Sequence, residues 1–288
     1  IRARLDLPLK GEVSREDSIK PWRVTVSMVS CILAESGLCT PKLYRYNQYY
    51  RRRRRRPNEY PQYREMAGMA GKIITVAQQK GGAGKTTLTA HLAVAWRQAG
   101  MRVGLVDIDP QGSLTRWYET RTKALGVDTG FTHSQINGWR TQKEVERLAR
   151  DNDVVVIDSP PHAETEARIA VRVASMVIVP VQPSPMDLWA TQPTIELGRL
   201  EKVRILLVLN RMPPRSKLTE AMVVEINGMV SAPTGALAAV ALADARIGNR
   251  ISYAGALLSG RAVTETDGNS KAAVEMSALA AEIMRRIG

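Results

Sequence analysis

The sequence predicts an α/β fold over residues 69–288, with a mostly parallel central sheet and helices on both faces. Three observations carry this reading. Five short runs rich in Val, Ile and Leu recur along the chain. Helix-length segments separate them. A glycine-rich turn joins the first run to the first helix. Parallel strands covered on both faces read as near-continuous apolar runs, and alternation with helices is the pattern of a parallel sheet.

The elements follow in order. "KIITVAQ" from Lys72 is the first strand. "KTTLTAHLAVAWRQAG" follows as a helix, with Leu88, Leu92, Ala95, Trp96 and Ala99 at helical spacing and Gly100 as its stop. "RVGLVDID", "DVVVIDSPP", "SMVIVPVQP" and "VRILLVLN" are the second to fifth strands. Segments 141–150, 164–174, 187–200 and 217–228 are expected to be helical. No internal repeat is visible.

Residues 1–68 read differently. Their apolar residues keep neither a helical nor a strand period, and the segment contains six consecutive arginines at 51–56. Such a run repels itself and stays solvated. The chain's net charge of +13 is concentrated there: residues 1–65 hold 15 Lys/Arg against 7 Asp/Glu. Residue 1 is Ile, and Met66 and Met69 stand just before the first strand. The expectation is a basic, disordered leader that is not native, with translation starting at Met66 or Met69. A nucleic-acid-gripping arm is the alternative. Both cysteines, Cys31 and Cys39, lie in this segment. The 69–288 domain therefore has no disulfide framework and no thiolate-held cluster. No apolar run approaches the ~20 residues that span a bilayer, so a cytoplasmic location is expected.

The turn "QQKGGAGKTT", residues 78–87, carries the chemistry. It fits the phosphate-loop pattern G-x-x-x-x-G-K-[ST] at Gly84, Lys85 and Thr86, but position 79 is Gln79 where the pattern has glycine. Gly81, Gly82, Ala83 and Gly84 place backbone N–H groups around phosphate oxygens, and the helix start adds partial positive charge. Lys85 is expected to reach the β- and γ-phosphates, Thr86 to ligate Mg²⁺ and Thr87 to touch the α-phosphate. The expected fold is thus that of a P-loop NTPase, with a nucleoside triphosphate and Mg²⁺ as cofactors; ATP is what the resemblance below implies.

The additional lysine, Lys80, narrows the reading. "KGGAGKTT" resembles the deviant Walker A motif of the ParA/MinD ATPases, nearest to short or orphan ParA-type partitioning proteins. The resemblance implies that Lys80 crosses a dimer interface to the partner's ATP, so that ATP drives homodimerisation. A local role on its own nucleotide is the alternative. "VDIDPQG" resembles the family's first switch. It places Asp107 at a strand end and implies that Asp109 serves the attacking water and the Mg²⁺ shell. "VVVIDSPP" resembles the second switch, with Asp158 on Mg²⁺. Asn210 after the fifth strand corresponds to the purine-recognising asparagine, and Pro213 with Pro214 would stiffen the loop beside the base. "PVQPSPMDLWA" leads into a helix of the dimer interface.

"RISYAGALLSGRAVTE" resembles the stretch with which ParA proteins touch nonspecific DNA. Arg246, Arg250, Arg261 and Lys271 are the candidate contacts, with solvated surface charge as the alternative for each. The implied partners are nucleoid DNA and a ParB-like or other small activator of hydrolysis. Three relatives of the fold compete. A MinD-like protein would use an amphipathic tail on membrane, but "AAVEMSALAAEIMRRIG" lacks aromatics and is expected to pack on the domain. A nitrogenase reductase-like protein needs cluster cysteines, and residues 66–288 have none. A carboxylate ligase of the superfamily is the third, and "DPQG" argues against it.

Overall fold

The computed structural model describes residues 71–126, 129–136, 138–161, 164–214, 217–231 and 239–288. The basic leader lies outside the described residues. The strands are β1 (Lys72–Val76), β2 (Val103–Asp107), β3 (Phe131–Gln135), β4 (Val154–Asp158), β5 (Met176–Val181), β6 (Arg204–Leu209) and β7 (Val240–Leu242). All pair in parallel, in the order β3-β2-β4-β1-β5-β6-β7.

The helices are α1 (Lys85–Gln98), α2 (Ser113–Leu125), α3 (Thr141–Asp151), α4 (Glu164–Arg172), α5 (Pro185–Trp189), α6 (Gln192–Leu200), α7 (Lys217–Ser231), α8 (Ile251–Leu258), α9 (Val263–Thr266) and α10 (Lys271–Ile287).

Strand alternation distributes the apolar side chains between two cores. Val154, Val156, Ile178, Leu206 and Val208 face one side, packed with α1, α8, α9 and α10. Val155 and Ile157 face the other with α3, while Val177, Val179, Ile205 and Leu207 join α6 there. Both faces are covered, as unbroken apolar strands require.

Two strands were not foreseen. β3 (FTHSQ) is polar and only half-buried, because it is the sheet's edge next to β2. β7 has three residues at the opposite edge. The expected helix 187–200 is two helices. Ser184 accepts the Asp187 N–H and Pro185 opens α5, whereas Thr191 turns its hydroxyl onto the Asp187 carbonyl before Pro193 enters α6. Helix α1 is buried almost all round, not along one stripe, since Thr89, Ala90, His91 and Val94 are also covered. The cause is a second layer, α8 to α10, on its outer side.

That layer is tied down by polar contacts. Trp96 Nε1 donates to the Ala280 carbonyl at 3.1 Å. His91 Nδ1 accepts the Val263 N–H at 3.2 Å, so its Nε2–H donates to the Tyr253 carbonyl at 3.1 Å. Burial lowers the His91 pKa to about 4, and the ring stays neutral. α10 buries Ala272, Ala273, Met276, Leu279, Ala280 and Ile283 against the domain, as its amphipathic pattern led us to expect.

Candidate functional site

The chain leaves β1 towards β2 on one side of the sheet and leaves β5 towards β6 on the other. Crevices at such reversals, outside the carboxyl ends of the strands, are where ligands bind in open α/β sheets. The loop after β1 fills this place. Gly82 and Gly84 have φ of 77° and 94°, in the left-handed region that favours glycine. A Cβ on Gly84 would stand 2.5 Å from Asn210 Nδ2, so the position has neither the backbone nor the room for a side chain. Gly84 is the N-cap of α1, no side chain caps it, and its first turn carries no acid. The first N–H groups are therefore left for an anion.

Lys85 opens α1 with its amine folded back on the loop, donating to the Gln78 carbonyl at 3.0 Å. Burial lowers its pKa, while Asp158 and Asp109 oppose the shift. Gln78 is itself pinned: its Nε2 donates to Thr191 Oγ1 at 3.0 Å and to the Pro180 carbonyl at 3.3 Å.

The strand register sets Val76, Asp107 and Asp158 side by side at one edge of the sheet. Thr86 Oγ1 donates to Asp158 Oδ2 at 2.6 Å. Asp158 is wholly buried, and its Oδ1 has no hydrogen-bond partner. Burial first, then the charges of Asp107 and Asp109, raise its pKa to about 7, against the Thr86 bond and Lys85. A desolvated carboxylate with an idle oxygen beside a threonine hydroxyl suits a hard cation, which takes oxygen ligands. Among the described residues no group of three or more His, Cys, Asp or Glu could hold a metal alone. Thr86 and Asp158 therefore fit Mg²⁺ shared with phosphate and water, not an all-protein cage.

Asp107, beside Asp158 in the register, spends its oxygens on the loop that follows it. Its Oδ1 accepts the Asp109 N–H at 3.1 Å, and its Oδ2 accepts the N–H and hydroxyl of Thr115 at 2.8 and 2.9 Å. Asp109 is half-buried, and its Oδ1 accepts the Gln111 N–H at 2.9 Å.

Lys80 has a different setting from Lys85. Its side chain is 37% exposed, and its amine rests on Asp187 Oδ2 at 2.6 Å. Asp187, buried at the start of α5, also accepts the Ser184 hydroxyl on Oδ2, and its Oδ1 has no partner. Asp187 was missed in the sequence. The signal was present: "SPMD" is a helix start with Ser at the cap and Asp three residues on.

Asn210 ends β6 against the loop. Its Nδ2 donates to the Ala83 carbonyl at 2.7 Å, and its Oδ1 accepts the Arg211 N–H at 3.0 Å. Its amide thus braces the phosphate loop in this structure. It also lines a cavity of about 250 Å³ with Gly84, Thr87, Leu88, Arg211, Gly248 and Tyr253. Pro213 is exposed and is not among the residues lining this cavity. Of the basic candidates, Arg246, Arg261 and Lys271 are exposed. Arg250 instead grips Glu275 through Nε and Nη2 at 2.5–3.2 Å, with the Tyr253 hydroxyl on the same carboxylate. Sequence could not show this partner, which lies 25 residues away on α10.

Known proteins resemble this chain in sequence and in fold. Residues 74–283 match the CobQ/CobB/MinD/ParA nucleotide binding domain. The chain is 36% identical over 164 residues to the maintenance of carboxysome distribution protein A of Halothiobacillus neapolitanus, covering 54% of this chain and 74% of that one. It is 56% identical over 148 residues to the sporulation initiation inhibitor protein Soj of Bacillus subtilis, covering 39% of this chain and 58% of that one. The fold is similar to that of a Cyanothece McdA variant solved with ATP, at a TM-score of 0.58, 18% identity and coverage of 74% and 96%. The chain belongs to the CobQ/CobB/MinD/ParA family of nucleotide-binding domains.

Proposed function

We propose that this chain is an ATPase that dimerises when it binds ATP, holds DNA without reading its sequence, and positions or partitions a cargo. One observation carries the proposal: two lysines of a single loop have opposite settings. Lys85 is buried and turned onto its own loop. Lys80 is part-exposed and held by one contact to Asp187. The first suits phosphates of its own nucleotide, and the second suits a target outside the chain. Next to Lys80, α5 exposes Met186 and Trp189 at 63% and 67%, apolar surface that a second copy would cover.

The residues divide the work as follows. Backbone N–H groups of Gly81 to Gly84 and the start of α1 would bind the phosphates. Thr86 and Asp158 would hold Mg²⁺, which would supply positive charge against the phosphates. Asp109 orients the attacking water. Lys85, with Lys80 from the partner, stabilises charge that develops in the transition state. On dimerisation Lys80 leaves Asp187, whose carboxylate then loses its cation. This opposes closure without a triphosphate. A small partner protein speeds hydrolysis, and loss of the γ-phosphate then reopens the dimer.

Arg246, Arg261 and Lys271 remain the candidate phosphate contacts for DNA, with binding that falls steeply with salt. Arg250, occupied by Glu275, is the weakest of the four. The burial of the apolar face of α10 speaks against a tail that inserts into membrane. The test is the mass in solution of an Asp109→Ala protein, which should retain its nucleotide. It is expected to be dimeric with Mg²⁺-ATP and monomeric with Mg²⁺-ADP. A monomer in both would refute the proposal.

A further inference from the structure

The first switch carries an anchor that the roles above do not use. Asp107, fully buried, spends both oxygens on the loop that follows it: Oδ1 on the Asp109 N–H, Oδ2 on the N–H and hydroxyl of Thr115. A buried carboxylate needs donors on its oxygens. The single Thr115 hydroxyl proton therefore goes to Asp107, and the oxygen's lone pair is left for His133 Nε2 at 3.1 Å. His133 must then be the donor. Its ring lies flat on Tyr118, with centroids 4.4 Å apart and planes at 13°. Burial lowers its pKa, against Asp107 and Glu119, which favours the neutral ring.

β3 presses on the same loop a second time. Gln135, two residues on and so on the same face as His133, stands close to Gly112. A Cβ there would meet Gln135 Nε2 at 2.9 Å, and Gly112 has φ of 62°. An otherwise polar edge strand thus directs two side chains at the turn that carries Asp109.

We infer that His133 is a positioning residue: through Thr115 and Asp107 it fixes the backbone N–H of Asp109, and so the place of that carboxylate over the site. The inference rests on the reading of Asp109 as the residue that orients the water. A catalytic group displaced by about an ångström loses roughly tenfold to a hundredfold in rate. The phosphate loop and the start of α1 take no part in this chain of bonds.

The experiment compares His133→Phe, which keeps the stacked ring without the donor, with His133→Gln, which restores an Nε2 donor without the ring. Thr115→Val breaks the same chain one bond further in and serves if the Phe variant does not fold. Steady-state ATP hydrolysis is measured for each. His133→Phe and Thr115→Val should lower kcat roughly tenfold with KM for Mg²⁺-ATP within about twofold of wild type, and His133→Gln should recover most of the loss. Unchanged kcat in the folded Phe or Val variant overturns the inference, as does a Gln variant no better than Phe. Asp109→Ala separates the two levels: if it hydrolyses ATP at the wild-type rate, the reading of Asp109 itself is wrong.

Discussion

The phosphate loop lies at the start of α1 and the α8–α10 layer along its outer side, and the two treat buried polar groups differently. In the layer the groups that tie it to the domain are satisfied, and one buried hydroxyl, that of Thr264, has no partner. His91 uses both nitrogens, Trp96 its N–H, and Glu282 accepts the Asp244 and Ala245 N–H groups and Arg286. Arg121 meets Glu265 with two bonds and the Gly260 carbonyl with a third. At the loop, Asp158 and Asp187 each keep an idle buried oxygen, and Lys85 has a depressed pKa. Unsatisfied buried groups are expensive, charged ones most of all, so the two idle carboxylate oxygens at the loop weigh more than the one idle hydroxyl of the layer. The expectation is that the layer carries stability and the loop carries ligand binding.

The largest effect that could break this contrast is a pair of truncations. Lys85→Ala should weaken ATP and ADP binding by at least roughly a hundredfold, while the melting temperature stays near wild type, since a desolvated cation is removed. Trp96→Ala should do the reverse, destabilising by about 3–5 kcal/mol in denaturant titration with nucleotide affinity retained in the folded fraction. Equal damage to both properties in either variant would erase the division.

A pH series sharpens it. Asp158 is raised from an ordinary carboxylate value to about 7, so the folded chain binds an extra proton between roughly pH 4 and 7. Its contribution is full at low pH and lost as pH rises through 7. His91 is lowered to about 4, so its contribution is present above pH 6.5 and lost as pH falls towards 4. The two slopes oppose each other. Asp158→Asn removes the first, so its stability gain over wild type should be about 1–4 kcal/mol larger at pH 7.5 than at pH 4.5. Once that term is gone, the acid-side loss from His91, on the order of 3 kcal/mol, should stand out. A gain that is the same at both pH values would contradict the burial argument for Asp158.

The smallest expected effect concerns the basic surface. Arg261→Glu should weaken binding of a random DNA duplex by about tenfold at low salt without changing stability. Arg250→Ala should cost about 1 kcal/mol of stability through Glu275 and leave DNA affinity nearly unchanged. Gel-shift and melting measurements on the two variants check both statements.

Much of this was legible in the sequence for specific reasons. Inner strands such as VVVID must be apolar on both faces, and the loop's glycines and lysines are demanded by backbone geometry and phosphate charge. β3 was hidden because an edge strand need bury little, and polar residues such as His133 and Gln135 leave it no apolar run. The partners of Lys80 and Arg250 were hidden for another reason. Asp187 and Glu275 are 107 and 25 residues away from them, and nothing local to either cation names them. Asn210 was found by its place after β6, but its amide turned out to be engaged with Ala83.

The division between the two lysines is tested most directly by adding Lys80→Ala to the Asp109→Ala protein. Its ADP affinity and its mass in Mg²⁺-ATP are then measured by titration and sedimentation. The expected result is ADP affinity within about twofold of the parent and a species that stays monomeric at concentrations where the parent is fully dimeric. A double variant that dimerises as readily as its parent, or that loses ADP as Lys85→Ala does, would contradict it.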